Sequence, residues 1–144
     1  MGERVHILHL NSSSSEQTYS DNRVEDFRFH LPVPLTLEPV GDWFCCIRQC
    51  SFGFAFPGPL YLCCDICQDS IAGERKLPVL RVVHQRTGVV YTTCLYVPVK
   101  IGYISELRIF LVRTRDYKPP EYSTTGKPTH VTLEFVRGLQ LRAP

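Results

Sequence analysis

Long apolar runs are missing from this chain: no stretch approaches the roughly 20 residues that a membrane-spanning helix requires. Also missing is the spacing of an amphipathic helix, because no window keeps apolar residues at i, i+3, i+4 and i+7 for long. Methionine and tryptophan occur once each, whereas 11 prolines and 9 glycines are scattered over the 144 residues. Both destabilise helix interiors, so their spread argues for many turns and against long helices. There is no Gly-rich phosphate loop, no His-Glu-x-x-His and no Gly-x-Ser-x-Gly, which removes the commonest nucleotide-binding, zinc-protease and hydrolase signatures. The opening Met1-Gly2-Glu3-Arg4-Val5-His6 lacks the apolar run of a secretory leader, and His6 stands where a myristoylation signal carries Ser or Thr. These absences set the expectation of a protein with no membrane span, made in a reducing compartment, cytosol or nucleus.

What is present is β-type patterning. Val5-His6-Ile7-Leu8-His9-Leu10 is a short β-rich run, followed by a polar loop from Ser12 to Asn22 with four consecutive serines. Phe27, Phe29 and Leu31 alternate with Arg28 and His30, the period of a half-buried strand. Pro32 and Pro34 bracket a break before Leu35-Thr36-Leu37, and Pro39-Val40-Gly41-Asp42 supplies a turn. In the next strand Trp43, Cys45 and Ile47 face one way and Phe44, Cys46 and Arg48 the other, until Pro57-Gly58-Pro59 ends the run. Leu60, Leu62, Cys64 and Ile66 line one face of another strand, and Ile71 to Lys76 is a charged loop. Val79 to His84 and Val89 to Tyr96 are β-branched runs separated by Gly88. Leu107, Ile109 and Leu111 alternate with Arg108, Phe110 and Val112, and Val131, Leu133 and Phe135 with Thr132, Glu134 and Val136. About eight strands with almost no helical periodicity predict an all-β fold, a single jelly-roll β-sandwich of antiparallel strands. One domain spans 1–144, with short flexible ends at 1–3 and 139–144. A hydrophobic content of 44% at this length is enough for a real core, with Trp43, Phe27, Phe29, Leu133 and Phe135 expected to anchor it.

The formal net charge of +2 hides an asymmetry. Residues 1–74 hold four Arg against ten acidic residues, a formal −6, while residues 75–144 hold twelve Lys and Arg against four, +8. Such a split is produced by strand sets whose loops differ in sign, by pairing between neighbouring subunits, or by a basic face turned toward nucleic acid. Charge alone does not choose among them.

The seven cysteines are Cys45, Cys46, Cys50, Cys63, Cys64, Cys67 and Cys94. An odd number with two adjacent pairs is a poor disulfide framework. Cys64-x-x-Cys67 and Cys46-x3-Cys50 have metal-ligand spacing, but a structural zinc needs four converging ligands. In an extended strand, positions three apart project to opposite faces, and Leu60 to Ile66 reads as regular strand. Ordinary buried thiols are therefore expected, with no metal, cofactor or catalytic residue assigned. A cysteine nucleophile would need one of His6, His9, His30, His84 and His130 as base, and four of these sit inside expected strands. The chain is accordingly expected not to be an enzyme. Seven tyrosines (Tyr19, Tyr61, Tyr91, Tyr96, Tyr103, Tyr117 and Tyr122) would suit a stacking surface, yet they do not interleave with a dense Lys/Arg run. Nucleic-acid contact is therefore expected to be non-specific at most. The run from Arg113 to Lys127, with Pro119-Pro120, is expected as an exposed loop: either a simple connection or a docking segment at the rim of an assembly.

Beyond these patterns, the order of motifs resembles the penton-type minor capsid proteins of Polinton-like and adintovirus elements. The likeness runs through Tyr61-Leu62-Cys63-Cys64-Asp65-Ile66, Leu77-Pro78-Val79-Leu80-Arg81-Val82-Val83 and Tyr96-Val97-Pro98-Val99. Upstream it includes the Ser12–Ser15 loop, Tyr19-Ser20-Asp21-Asn22, Phe29-x-Leu31-Pro32-x-Pro34-Leu35-x-Leu37 and Gly41-Asp42-Trp43. Downstream it includes Leu107-x-Ile109-x-Leu111, Gly126-Lys127 and Val131-Thr132-Leu133-x-Phe135. The chain departs from that family where Cys63 replaces a Tyr, where Gln68 replaces an acidic residue and where Ala72-Gly73-Glu74 replaces Val-Gly-Asp. Arg113-Thr114-Arg115 likewise stands where an acidic turn is usual, which suggests a divergent, adenovirus-like or adomavirus-like member. The resemblance implies a single jelly roll in a homo-pentamer at icosahedral vertices, beside a double-jelly-roll major capsid protein and a fibre or other vertex protein. It further implies location in the virion after assembly in the host nucleus or cytoplasm. No Arg-Gly-Asp is present, so receptor binding through such an insertion is not expected. The alternative from another class is a cellular β-sandwich module that binds a peptide or carbohydrate.

Overall fold

The computed structural model describes residues 5–15, 17–84, 89–124 and 126–138. The chain ends expected to fray, and Gly88 between two of the runs, lie outside the described residues. Thirteen strand segments follow one another: β1 (Val5–Asn11), β2 (Asp26–Thr36), β3 (Trp43–Ser51), β4 (Phe54–Ala55), β5 (Leu60–Cys64), β6 (Ser70–Ala72), β7 (Arg75–Leu77), β8 (Val79–Val83), β9 (Val89–Val90), β10 (Val97–Pro98), β11 (Tyr103–Arg113), β12 (Ser123–Thr124) and β13 (His130–Arg137). One sheet has the order β1-β13-β3-β10, with β9 also paired to β3, and the other the order β2-β11-β5-β8. Every pairing is antiparallel. If β9 and β10 count as one interrupted strand, eight principal strands in chain order give sheets 1-8-3-6 and 2-7-4-5. That is the order produced by two Greek keys wrapped into a double sheet, as in a jelly roll.

A single buried cluster draws on both sheets. From β11 come Leu107, Ile109 and Leu111, from β13 Val131, Leu133 and Phe135, and from β2 and β3 Phe27, Leu31, Cys45 and Ile47. The two-residue period puts every second side chain inside, and each such Leu, Ile or Phe contributes roughly 1.5–3 kcal/mol by leaving water. Trp43 is buried as expected, its indole N–H donating to the Glu38 carbonyl at 3.0 Å, whereas Phe29 is only partly covered.

Four local differences from the alternating pattern have identifiable causes. Strand β2 continues through Pro32 and Pro34 as an edge strand, but its ladder with β11 is interrupted there, the register passing from Leu35↔Ile104 to His30↔Glu106. In β3 the register against β13 shifts at Thr132/Leu133, a bulge that leaves both Arg48 and Gln49 exposed while Ile47 and Cys50 are buried. The run from Val89 to Tyr96 is strand only at Val89–Val90; residues 91–96 form an irregular arch beside β3, with the Tyr91 N–H still donating to the Arg48 carbonyl at 2.9 Å, before β10. They are held there by side chains, with Arg81 donating to the Thr93 carbonyl at 3.0 Å and its guanidinium 3.7 Å from the Tyr91 ring centre. Finally, Ile71 to Lys76 is a hairpin, β6–β7, turning at Gly73 with φ of 63°, where Tyr117 packs so closely that a β-carbon would collide with its hydroxyl.

The charge asymmetry along the chain does not become an asymmetry between sheets, since each sheet takes strands from both halves. Opposite charges from the two halves meet instead: Arg108 grips Asp26 with two hydrogen bonds, Arg137 lies 3.2 Å from Asp42, and Arg48 lies 3.6 Å from Glu134.

Truncation of the shared core tests this packing. Leu62→Ala is expected to lower unfolding free energy by about 2–5 kcal/mol, and Val82→Ala on the exposed edge by less than about 1 kcal/mol, in urea titrations.

Candidate functional site

The thiols are closer together than the strand reading implies. Strand β5 stops at Cys64, and a turn closed by the Cys67 N–H on the Cys64 carbonyl, 3.1 Å away, brings Cys67 back over the core. The expectation of regular strand through Ile66 is therefore corrected: Asp65 and Ile66 form the turn. As a result Cys67 joins Cys64 and Cys45, which lies on the opposite sheet, in the buried cluster, and the three thiols influence one another's ionisation. All three are buried, and burial pushes the Cys45 and Cys64 thiols above their usual range. No group of three or more His, Cys, Asp or Glu suited to a metal ion occurs among the described residues. All three thiols belong to the buried cluster shared by the two sheets, an environment in which thiols pack as small hydrophobes.

The histidines serve strand contacts. His9 pairs with Thr132 at 3.2 Å, His130 with the Asn11 amide at 3.4 Å, and the His6 ring packs on Trp43 at 5.4 Å between ring centres. His30 and His84 are exposed. The Cys94 sulfur accepts from Arg48 at 2.6 Å, Cys50 pairs with the Tyr91 hydroxyl at 3.6 Å and Cys63 donates to the Tyr61 carbonyl at 3.9 Å.

The tyrosines are dispersed and form no common platform. Three donate to carboxylates: Tyr19 to Glu106, Tyr96 to Glu134 at 3.0 Å and Tyr122 to the buried Glu25 at 3.2 Å. Tyr117 has φ of 62°, stacks on Tyr61 and accepts the Glu74 N–H at 2.8 Å, which ties the β6–β7 hairpin to the loop after β11. That loop is more organised than a plain connection. Arg113 holds Asp116 with two hydrogen bonds and lies 3.8 Å from Glu121, and its guanidinium keeps the Asp116 carboxyl below the usual carboxylate range. Between Pro57-Gly58-Pro59 and this arginine turn lies an open groove of about 360 Å³.

Most exposed large apolar side chains lie on sheet edges or at one end of the sandwich, while Ile71, 81% exposed on the β6–β7 hairpin, and Leu95 in the 91–96 arch lie elsewhere. Val5 and Ile7 lie on β1, Val33 on β2, Val82 on β8 and Val90 on β9, with Val33 76% and Val90 71% exposed. These are the edge strands of the two sheets. On the central strands β3, β5, β11 and β13 the only comparable residue among those described is Tyr103, the first residue of β11. Val40 and Ile101 extend the set at that end of the sandwich, where Val40 packs over Gly102 and the Leu37 N–H bonds the Gly102 carbonyl at 2.7 Å. Sequence pattern alone missed this set, because an exposed apolar residue in a strand looks like a core residue until strand order is known.

Compared with known families and curated proteins, the chain matches no family model and no curated relative.

The three tyrosine–carboxylate bonds make a prediction about alkali. Each tyrosine is raised above its ordinary value of 10.0, Tyr19 chiefly by its bond to Glu106, Tyr96 and Tyr122 chiefly by burial. A folded value above the unfolded one means the stabilisation is complete below pH 10.0 and is lost as pH rises through the folded values. The urea midpoint is expected to fall above that pH, and to fall less steeply in a Tyr19→Phe, Tyr96→Phe, Tyr122→Phe variant. Equal slopes would show that the three bonds do not carry the effect.

Proposed function

We propose that the chain is a structural virion protein, a penton-like minor capsid subunit that forms a homo-pentamer at icosahedral vertices. The observation that carries this reading is the placement of exposed apolar side chains on the edge strands and at one end of the sandwich. A sheet edge offers unpaired backbone groups, and soluble monomers blunt such edges with charge or proline. Strand β2 carries Pro32 and Pro34, but it exposes Val33 between them. Strand β1 has neither a proline nor a lysine and presents Val5 and Ile7. Five copies placed side by side in a closed ring would cover such lateral patches with a heterologous contact that repeats without leaving an open end. Support also comes from the order of motifs in the sequence and from the strand order of the two sheets. In this role the subunit performs no catalysis; its work is shape and surface complementarity to its copies, to a double-jelly-roll major capsid protein and to a fibre or other vertex protein.

A specific feature favours the second reading, a module that binds a peptide or carbohydrate. It is the groove of about 440 Å³ lined by Arg81, Val82, His84, Val89, Tyr91 and Leu95.

Light scattering coupled to size exclusion separates the two. The expected species has five times the 16.5 kDa mass of the chain, and Val33→Asp with Val82→Asp reduces it to monomer without a change in thermal midpoint. A wild-type monomer at micromolar concentration that binds a defined peptide or glycan overturns the capsid reading.

A further inference from the structure

We infer that Cys46 and Cys94 form a reversible intramolecular disulfide when the protein meets a peroxide, which makes this pair an oxidation site on the outer face of the β1-β13-β3-β10 sheet. Of the seven cysteines Cys94 alone is not buried. It sits in the 91–96 arch, whose flanking strands β9 and β10 both pair with β3, so the arch lies along the part of β3 that contains Cys46 and Arg48. The Arg48 guanidinium donates to the Cys94 sulfur at 2.6 Å, and Cys46, two residues before Arg48 on the same strand β3, and Tyr96 both interact electrostatically with that sulfur. Glu134 closes the cluster, accepting from Tyr96 at 3.0 Å and lying 3.6 Å from Arg48.

This arrangement assigns an order to the two sulfurs. An accessible thiol under a fixed cation, with a second thiol against it, is the constellation that peroxide-sensing cysteines use. Cys46 is the reluctant partner: burial, and next the charge of Cys94, push its thiol up to about 12. The Cys94 thiolate attacks one peroxide oxygen, the O–O bond breaks, and sulfenic acid and, after proton uptake, water result. The Cys46 sulfur then attacks the sulfenic sulfur, the S–O bond breaks, and the second water leaves with the Cys46 proton. Two thiols lose two electrons, and one hydrogen peroxide becomes two waters. The bond pins the arch to the β3 edge, beside the exposed Leu95 and Val90.

The test treats reduced protein with one equivalent of hydrogen peroxide, alkylates it in denaturant and maps the peptides. Two of seven thiols are expected to be lost per chain and restored by dithiothreitol. The lost pair should appear as a cross-link between tryptic peptides 29–48 and 87–100, with fragmentation placing it at Cys46 and not Cys45. Cys94→Ser, a change at the half-exposed position, is expected to leave Cys46 fully alkylated after the same treatment, and Arg48→Gln to slow the loss several-fold. Cys94 still alkylated after peroxide, or linked only to Cys94 of another chain, or carried to sulfinic acid with Cys46 free, overturns the inference.

Discussion

The mutual burial of the inner faces of β11 and β13 is the constraint from which the rest of the structure follows. These are inner strands of opposite sheets, and Leu107, Ile109 and Leu111 on one and Val131, Leu133 and Phe135 on the other are almost wholly removed from water. Because the side-chain period is two, once these six point inward every neighbour on those strands points outward, and a slip of one residue would invert both faces. Register on β11 then fixes β2 and β5, register on β13 fixes β1 and β3, and the loops at both ends of the sandwich are placed as a consequence.

Where the regular pattern bends, side chains rather than backbone propensity decide the outcome. The bulge in β3 offsets Arg48 and Gln49 so that Arg48 reaches Cys94 and Glu134. The arch at 91–96 is braced by Arg81, which holds its Thr93 carbonyl and covers Tyr91. At the far end, the Ser-rich loop is latched by Ser12 and Thr129, each donating its backbone N–H to the other residue, and the Gly53 N–H bonds the Thr129 hydroxyl. A β-carbon at Gly53 would collide with the Lys127 carbonyl, so the close approach of these two loops depends on glycine there. The virion proposal and the oxidation inference both live at such places, the first on uncovered edges and the second on one arch.

Charge shows how a sequence-level observation can be absorbed by the fold. The acidic first half and basic second half invite a picture of complementary surfaces on neighbouring subunits. In the tertiary structure Arg108–Asp26, Arg137–Asp42 and Arg48–Glu134 join the halves within one chain. Each is partly exposed, so each contributes modestly to stability. Arg108–Asp26 and Arg137–Asp42 set a base of the second half against an acid of the first, whereas Arg48–Glu134 pairs them the other way round. On the capsid proposal, lateral association of copies would fall to the apolar edge residues.

Alternation and turn residues by themselves determined the β class, the antiparallel sandwich and most of the buried residues, because a half-buried strand must repeat every two positions whatever it packs against. They also located Trp43, Phe27, Leu133 and Phe135 in the core. Only the tertiary structure decided that β2 passes through two prolines, that Cys64 and Cys67 meet across a turn, and that Cys94 lies on Cys46 and Arg48. The physical reason is one of range. Periodicity reports how a residue faces its own strand, whereas strand order, bulges and thiol neighbours depend on residues tens of positions away that meet only when both sheets close.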